Sequence, residues 1–412
     1  MNKKIFFFIV ALCTILLLKI LIIVSFVDPW EPDAYHYYHI AEGILDGKGF
    51  GGILSRPPVY PLFLAAVKIL SSGNEKATIL YIKLIQFSLN AFTALLVFLI
   101  SRGAPLALDN KTAAIAAIIC LLDPFLTYFS GKVMTETLGT FLIMLFVYLY
   151  SYTAAKIINN RGFDKNSILL IALVGMTCGV AVLTRAAFLG YIFFLSIVSF
   201  VFNKKGEWAR IFSLWAGIFV FMFLSISPWM YRNYRLTHRI IISTVQGGWH
   251  FLEGFYSYSD DPKVLDQHRE NMSNEVKGMS VMEADRYCFR KAISIIKQEP
   301  FYFLKLCILK FLKFWRIMPN PYNYGLMVRM ISAVFFLPLL LLSIIGLLYS
   351  LKEPRRFYVL YSMLIYFPIQ HSILFCQTRY RVPLHAVLAI FAAYGVNSIL
   401  QKIKEMLSMR ND

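Results

Sequence analysis

A run of polar and charged residues follows the first apolar stretch of this 412-residue chain. Residues 28–61 read DPWEPDAYHYYHIAEGILDGKGFGGILSRPPVYP, with Glu31 and Asp33 near the start and Arg56 near the end. Charged residues beside membrane spans are costly and usually mark a functional site. The Asp33 carboxylate could accept a proton from an attacking hydroxyl group, although an aspartate before a helical pattern can also be an N-cap. The segment predicts catalysis at a boundary between water and lipid.

A second acid and several cations occupy the short gaps between later apolar stretches. Glu136 begins an otherwise apolar run in SGKVMTETLGTF, where it could act with Asp33 or only stabilise a helix N-terminus. We take Asp33 and Glu136 as the candidate catalytic residues. Arginine suits phosphate because its guanidinium fork donates two parallel hydrogen bonds, whereas a cation that only reaches lipid headgroups needs no such partner. The candidate substrate-binding residues are Glu31, Arg56, Lys132, Arg185, Arg232, Asn233, Arg379, Tyr380 and Arg381.

Metal, nucleotide and nucleic-acid sites are the other classes to consider. His36 and His39 share one helix face beside Asp33, so a divalent metal ion is a candidate cofactor, although the ligand set is incomplete. None of the six cysteines forms a CxxC pair, and the sequence holds no glycine-rich nucleotide-binding motif. Much of the net charge of +18 lies in short loops between apolar runs, which is typical of membrane topology and does not indicate nucleic-acid binding.

The elements that must position these residues are membrane helices. The chain is 58% hydrophobic and 16% charged, whereas soluble domains average about 25% charged residues. The composition therefore predicts an all-α, polytopic integral membrane protein. A helix needs about 20 apolar residues to cross a bilayer, and ten runs approach that length. They lie near residues 5–27, 78–101, 112–130, 133–155, 168–184, 186–202, 211–228, 329–350, 357–375 and 381–400.

Basic residues set the predicted orientation of these spans. Lys3 and Lys4 place the N-terminus in the cytoplasm, and every second loop after it is basic. Two large outer loops result, 28–77 with the candidate catalytic acid and 229–328, both folded onto a single membrane-embedded domain, 1–412. We expect an amphipathic helix in each loop. The one near 301–315 carries Lys305, Lys310 and Lys313, which we expect to face lipid headgroups; the alternative is that this stretch crosses the membrane.

Several segments, taken in order, resemble the GT-C glycosyltransferases, especially the branch that uses polyprenyl-phosphate sugars and includes protein O-mannosyltransferases and aminoarabinose transferases. The resemblance rests on EPDAYHYYHIAEGILDGKGF and RPPVYP in loop one, MTE at 134–136, LTR at 183–185, PWMYRNY at 228–234 and RYRVPLHAVLAIFAAYG at 379–395. It implies a GT-C-like helical bundle with a catalytic base at Asp33 and a second acid at Glu136. The arginines that it implies for the lipid phosphate are Arg56, Arg232, Arg379 and Arg381.

The resemblance also implies a reaction. A hexosyl or pentosyl group would pass from a polyprenyl-phosphate carrier to a glycan, lipid or protein acceptor on the outer face of the membrane. The expected partners are those substrates and membrane lipids, with no nucleic acid, and the expected location is the bacterial inner (plasma) membrane. Two alternatives stay open: an O-antigen polymerase or ligase, and a lipid or solute transporter without chemistry. A transporter would more often show paired repeats and helices broken at mid-bilayer.

Overall fold

A computed structural model describes residues 3–159, 163–322 and 324–409, with side chains from residue 13 onward. Within these ranges the chain forms α-helices and two short 3-10 turns, and no strand. The all-α prediction is therefore confirmed. In chain order the helices are α1 (Lys3–Phe26), α2 (Pro32–Leu45), α3 (Val59–Leu70), α4 (Glu75–Arg102), α5 (Asn110–Leu122), α6 (Pro124–Ser130), α7 (Thr135–Asn159), α8 (Lys165–Val182), α9 (Ala187–Phe202), α10 (Trp208–Thr237), α11 (Gly247–Glu253), α12 (Pro262–Glu275), α13 (Val281–Gln298), α14 (Pro300–Phe314), α15 (Leu326–Ser350), α16 (Pro354–Ile373) and α17 (Val382–Ser408).

Six helices of the described chain are long and apolar enough to cross a membrane, namely α4, α7, α8, α10, α15 and α17. The pair α5 and α6, bent by 49° at Asp123, makes a seventh if it is one span. The other three predicted spans coincide with α1, α9 and α16. Of these, α9 has only 16 residues, α16 is diluted by polar and charged side chains, and the apolar side chains of α1 are described only from Cys13. The membrane class is confirmed. Within the described residues, length and composition support at most seven of the ten predicted spans, and the crossings of α1, α9 and α16 stay predictions.

Helix α17 is the centre of the bundle. Its residues from Val382 to Gly395 are almost all buried, against α15, α5 and α7. Gly346 of α15 and Gly395 of α17 lie where an added Cβ would collide with the facing backbone. Small residues let two membrane helices approach closely, so these glycines fix the position of α17. The 3-10 turn that precedes it, Thr378–Arg381, is thereby fixed as well.

The first outer loop folds back on the bundle through α2 and α3. Buried aromatic and aliphatic side chains hold the two helices together, including Tyr37 and Tyr60, whose rings make an edge contact at 5.2 Å. The residue at the N-cap position of α2 is Glu31, followed by Pro32 at the first helical position. The interpretation of Asp33 as an N-cap is therefore wrong. Its carboxylate lies in the first turn and is engaged elsewhere.

The second outer loop contains α11 to α14, and its lysines do not all face outward. Lys305 is exposed, but Lys310 is buried and donates to two carbonyl oxygens at the end of α16, at 3.0 and 2.9 Å. Lys313 donates to two carbonyl oxygens of the segment after α11, at 2.9 and 2.6 Å. The predicted basic stripe toward headgroups is thus wrong for two of its three lysines. Carbonyl groups left free at a helix C-terminus attract cations, and here they attach α14 to the bundle.

Candidate functional site

Asp33 lies between two arginines that come from distant parts of the sequence. Arg56, from the loop before α3, donates from Nη2 to Oδ1 at 2.6 Å. Arg379, from the turn before α17, donates from Nη2 to Oδ2 at 2.7 Å. Each carboxylate oxygen therefore receives one guanidinium group, and the three side chains are half-buried. Charge-assisted hydrogen bonds of this kind are roughly twice as strong as neutral ones.

The two arginines determine the ionisation of Asp33. Burial opposes the charged carboxylate, but the charges and hydrogen bonds of Arg379 and Arg56 outweigh it and hold the pKa of Asp33 well below its usual range. Burial likewise opposes the charge on Arg56, whose pKa is nevertheless raised by Tyr37 and Asp33. Asp33 is therefore fully ionised in the structure. A carboxylate with so low a pKa is a weak proton acceptor unless one of its arginines is drawn away.

A second acid lies beside this group. Glu136, in the first turn of α7, is only 1% exposed, and its Oε1 lies 3.3 Å from Arg185 Nη1 and 3.8 Å from Arg379 Nε. The ring of Tyr380 connects the two arginines, whose guanidinium carbons lie 5.4 and 5.5 Å from its centroid. Gly139, one turn further along α7, leaves room for the Arg185 stem, since a Cβ there would be 2.9 Å from Arg185 Cδ.

These residues line a cavity of about 320 Å³, which we call the arginine cavity. Several buried polar atoms on its wall have no hydrogen-bond partner within the described part of the chain: Nε of Arg56, Nη1 of Arg185, Nε of Arg379 and Oε2 of Glu136. Buried polar groups are rarely left unpaired. Three guanidinium groups with unused donors around one space form a site suited to an anion such as phosphate.

A second cavity, of about 490 Å³, lies on the other side of Asp33, and we call it the aspartate cavity. The two cavities share Asp33, Met134, Phe375 and Arg379. The acidic residues that line the aspartate cavity are Glu31, Asp33, Asp260, Asp261 and Asp266, and its basic residues are Arg269, Lys313, Arg316 and Arg379. Many of these charges are already paired with one another, as in the ion pairs of Asp260 with Lys313 and Arg316.

Two predicted arginines lie outside both cavities. Arg381 is fully buried, donates to the carbonyl oxygens of Phe314 and Arg316, and stacks 3.8 Å from the ring centroid of Phe336. Arg232 donates to the carbonyl oxygens of Ile53, at 2.9 Å, and of its neighbours in the first outer loop. Both guanidinium groups satisfy backbone carbonyl groups, Arg232 in the middle of the first loop and Arg381 at the end of α14.

Two further candidates also serve as structural contacts. Asn233 is fully buried and donates to the carbonyl oxygen of Ile241 at 3.2 Å. Lys132 is buried and pairs with Glu31 at 3.0 Å. The Asn233 amide and the Lys132 ammonium group both lie outside the two cavities. Of the nine predicted substrate-binding residues, the arginine cavity includes Arg56, Arg185, Arg379 and Tyr380, and the aspartate cavity adds Glu31.

The histidine pair does not provide a metal site. His36 and His39 are both exposed, and neither lines the arginine or the aspartate cavity. Across the described residues, no three His, Cys, Asp or Glu side chains gather as metal ligands. Both oxygens of Asp33 are engaged by arginines instead. The donor set around His36 and His39 therefore does not fit a divalent ion.

Residues that the sequence interpretation missed complete the arginine cavity. His250, from the short helix α11, and His371, near the end of α16, both line it. The ring of His371 stacks on that of Tyr380 with centroids 4.4 Å apart. A signal for His250 was present in GGWHFLEG, where a histidine and a glutamate three residues apart stand between glycines. The segment has no long helical periodicity, and the sequence alone therefore does not indicate a role for His250.

The comparisons with known proteins show the fold. No family model matches the sequence, and no curated protein is significantly similar to it. Among solved structures, the chain is similar to the oligosaccharyltransferase AglB from Archaeoglobus fulgidus in complex with an inhibitory peptide and a dolichol-phosphate, with 15% identity, a TM-score of 0.57, and coverage of 97% of this chain and 51% of that one. Another structure of the Archaeoglobus fulgidus enzyme, with Zn and sulfate, has 16% identity, a TM-score of 0.54, and coverage of 94% and 49%.

A third solved structure is ArnT from Cupriavidus metallidurans bound to undecaprenyl phosphate, with 12% identity, a TM-score of 0.45, and coverage of 94% of this chain and 77% of that one. The chain spans about half the length of the AglB structures that it matches. AglB is a GT-C glycosyltransferase. The similarity to the AglB structures confirms the predicted resemblance at the level of the fold, a GT-C-like helical bundle.

Proposed function

We propose that this chain is a membrane glycosyltransferase that moves a sugar from a polyprenyl-phosphate carrier to an acceptor nucleophile. The observation that carries the proposal is the placement of Asp33 between Arg56 and Arg379, at the point where two cavities meet. One cavity offers unused arginine donors and the other offers polar space. The fold shared with AglB, a structure of which contains dolichol-phosphate, supports a lipid-linked donor.

The donor phosphate binds in the arginine cavity under this proposal. Arg56, Arg185 and Arg379 line it, and each has a nitrogen without a hydrogen-bond partner within the described chain. As the bond between the anomeric carbon and the phosphate oxygen breaks, negative charge grows on the departing polyprenyl phosphate. Preorganised cationic donors stabilise such charge without having to reorganise during the reaction. The arginines at this position therefore supply the stabilisation that the leaving phosphate needs, and the reaction does not require a nucleotide-binding site.

Asp33 accepts the proton of the acceptor. An incoming phosphate competes for the guanidinium groups of Arg56 and Arg379, and any loosening of those ion pairs raises the pKa of Asp33. The acceptor, held in the aspartate cavity, loses its proton to Asp33 while its oxygen or nitrogen attacks the anomeric carbon. Donor binding thus converts Asp33 from an ion-pair partner into a base, so that proton acceptance is coupled to the presence of the donor.

The site faces the outer side of the membrane in this proposal, which keeps the predicted topology: the N-terminus lies in the cytoplasm, and α1, α9 and α16 cross the membrane together with the other seven spans. Asn271 of α12 and Lys404 of α17 are both exposed. In intact cells, an impermeant thiol reagent should label an Asn271→Cys variant above the background of the unsubstituted protein. A Lys404→Cys variant should be labelled only after permeabilisation. The reverse pattern would place the site in the cytosol.

The direct test is transfer by purified protein in lipid nanodiscs. The donor is a radiolabelled polyprenyl-phosphate sugar, and a membrane extract supplies acceptors. Release of free sugar to water provides a second readout that needs no known acceptor. We expect label to leave the lipid carrier in both assays and no transfer from nucleotide sugars. Donor that stays intact while the protein moves it across a vesicle membrane would show a transporter instead.

A further inference from the structure

A histidine and a buried glutamate form a second ionisable unit at the arginine cavity. Within α11, His250 Nδ1 lies 3.1 Å from Glu253 Oε2, and Arg269 of α12 donates to Glu253 Oε1 at 2.6 Å. Glu253 is only 2% exposed. Burial opposes its charge, but His250 and Arg269 outweigh this and hold the pKa of Glu253 below its usual range. A carboxylate in this position fixes the orientation and the tautomer of the imidazole ring.

The short helix that carries the pair is fixed at both ends. At its start, Gly248 lies against the backbone of Asp285 in α13 so closely that a Cβ would collide, and Trp249 donates its backbone N–H to Asp285 Oδ1 at 3.0 Å. At its end, Gly254 lies against the carbonyl oxygen of Leu374 with no room for a Cβ. The helix that carries His250 is therefore held by tertiary contacts at both ends, and a reacting group requires such a fixed position.

The His250 ring lines the arginine cavity and not the aspartate cavity. Nδ1 is engaged with Glu253, so Nε2 is the nitrogen left for a molecule in the cavity. The titratable and charged groups around this ring are Glu253 on its own helix, Arg269 on α12, Asp285 on α13, His371 on α16, and Asp33, Arg56, Glu136, Arg185 and Arg379 across the cavity. The histidine thus belongs to the side where the donor phosphate is proposed to bind.

We propose that His250 is a catalytic residue that gives a proton to the departing polyprenyl phosphate, and that Glu253 is its positioning residue. This inference rests on the proposed function. The acceptor oxygen or nitrogen forms the new bond to the anomeric carbon, and the electron pair of the broken bond goes to the phosphate oxygen. The acceptor proton goes to Asp33, and the Nε2 proton of imidazolium goes to the phosphate. Water then restores both groups.

The chemistry of the two partners matches. A phosphate monoester has a second pKa of about 6, and histidine is the side chain that ordinarily changes charge between about pH 5 and 8. A proton can therefore pass between them near neutral pH. Transfer of the proton lowers the negative charge of the product phosphate. It therefore assists release of a phosphate that three guanidinium groups would otherwise hold tightly.

The first test compares His250→Gln with the matched control His36→Gln, whose histidine is exposed and outside both cavities. Sugar release from the polyprenyl-phosphate donor is measured across pH. We expect His250→Gln to reduce kcat by about 100-fold or more. We also expect the unsubstituted protein to lose kcat as pH rises, and His250→Gln to lack this fall. His36→Gln should keep both. A His250→Gln variant within threefold of the unsubstituted protein, or with the alkaline fall retained, overturns the inference.

The second test uses Glu253→Gln. Glutamine can still accept the Nδ1 hydrogen bond but no longer stabilises imidazolium by charge, so the alkaline fall in kcat should move to lower pH. A merely structural role would lower kcat at every pH without moving that fall, and such a result overturns the positioning role. The two proposals fail in different ways. If the unsubstituted protein releases no sugar from the lipid donor, the proposed function fails; if it does so and His250→Gln is unimpaired, only the role of His250 fails.

Discussion

The arginine cavity and the aspartate cavity share Asp33 and Arg379 but differ in how fully the charged side chains on their walls are paired. On the arginine side, Arg56, Arg185 and Arg379 pair with Asp33 or Glu136, yet each keeps one buried nitrogen without a hydrogen-bond partner among the described residues. On the aspartate side, most cations are paired: Lys313 and Arg316 with Asp260, and Arg269 with Glu253 and Asp266. Unused donors select an anion, whereas paired charges leave a polar surface for a neutral acceptor. Under the proposed function, this difference separates a donor side of the site from an acceptor side.

The shared residue should show the largest effect. Asp33→Asn removes the proposed base where the two cavities meet, and loss of a positioned base costs about 10²–10⁴ in rate. Transfer and sugar release should both fall in this range. Because the variant also leaves Arg56 and Arg379 without their counter-charge, membrane level and thermal unfolding are measured alongside. Asp46→Asn, at an exposed acid of the same loop, is the control. A fully active Asp33→Asn protein removes the base from the account.

A smaller effect is expected for Arg379→Ala. Hydrogen bonds to charged groups contribute about 1.5–3 kcal/mol, so donor lipid should bind roughly 10–150-fold more weakly. Arg379 also lowers the pKa of Asp33, so its removal raises that pKa. Asp33 acts as a base only above its pKa, and the acid-side fall in rate should therefore move to higher pH. A pH–rate profile with the acid side unchanged would contradict the coupling.

The matched variant for Arg379 comes from the other cavity. Arg316 lines only the aspartate cavity and pairs with Asp260. Arg316→Ala should therefore leave donor-lipid binding within about twofold of the unsubstituted protein and raise the KM for the acceptor. If Arg316→Ala weakened donor binding as much as Arg379→Ala does, the two cavities would not divide the substrates as proposed.

The smallest effect on donor binding is expected two residues after Arg379. Arg381 is buried and donates to carbonyl groups that end α14. In Arg381→Lys, the loss of the guanidinium fork and of its stacking on Phe336 should lower the unfolding temperature. Donor affinity, measured by lipid binding, should be unchanged. If Arg381→Lys weakened donor binding as much as Arg379→Ala does, the phosphate would instead lie near Arg381.

The sequence could predict which residues converge better than what each one does. Asp33, Arg56, Glu136, Arg185 and Arg379 were all identified, because charges beside apolar spans are costly and stand out. They come together in one cavity, where the ends of several helices meet. The fold class could be predicted both from the composition and from the ordered motifs.

The direction of each side chain could not be predicted from the sequence. Arg379 and Arg381 look alike in the sequence, yet the 3-10 turn that carries them sends one toward Asp33 and the other into the bundle. Arg232 and Lys310 likewise satisfy backbone carbonyl groups whose positions depend on loop folding. The unit of His250 and Glu253 needs contacts between α11, α12 and α13 that no local pattern encodes. Tertiary hydrogen bonding therefore decides most of what the sequence left open.

The central claim is that the lipid phosphate occupies the arginine cavity, and its position can be observed directly. A cryo-electron microscopy structure of the protein with polyprenyl phosphate should show the phosphate within hydrogen-bond distance of Arg56, Arg185 or Arg379, with at least one of the ion pairs of Asp33 lengthened from its present 2.6 or 2.7 Å. A phosphate bound in the aspartate cavity, or one that leaves both ion pairs of Asp33 unchanged, would contradict the account.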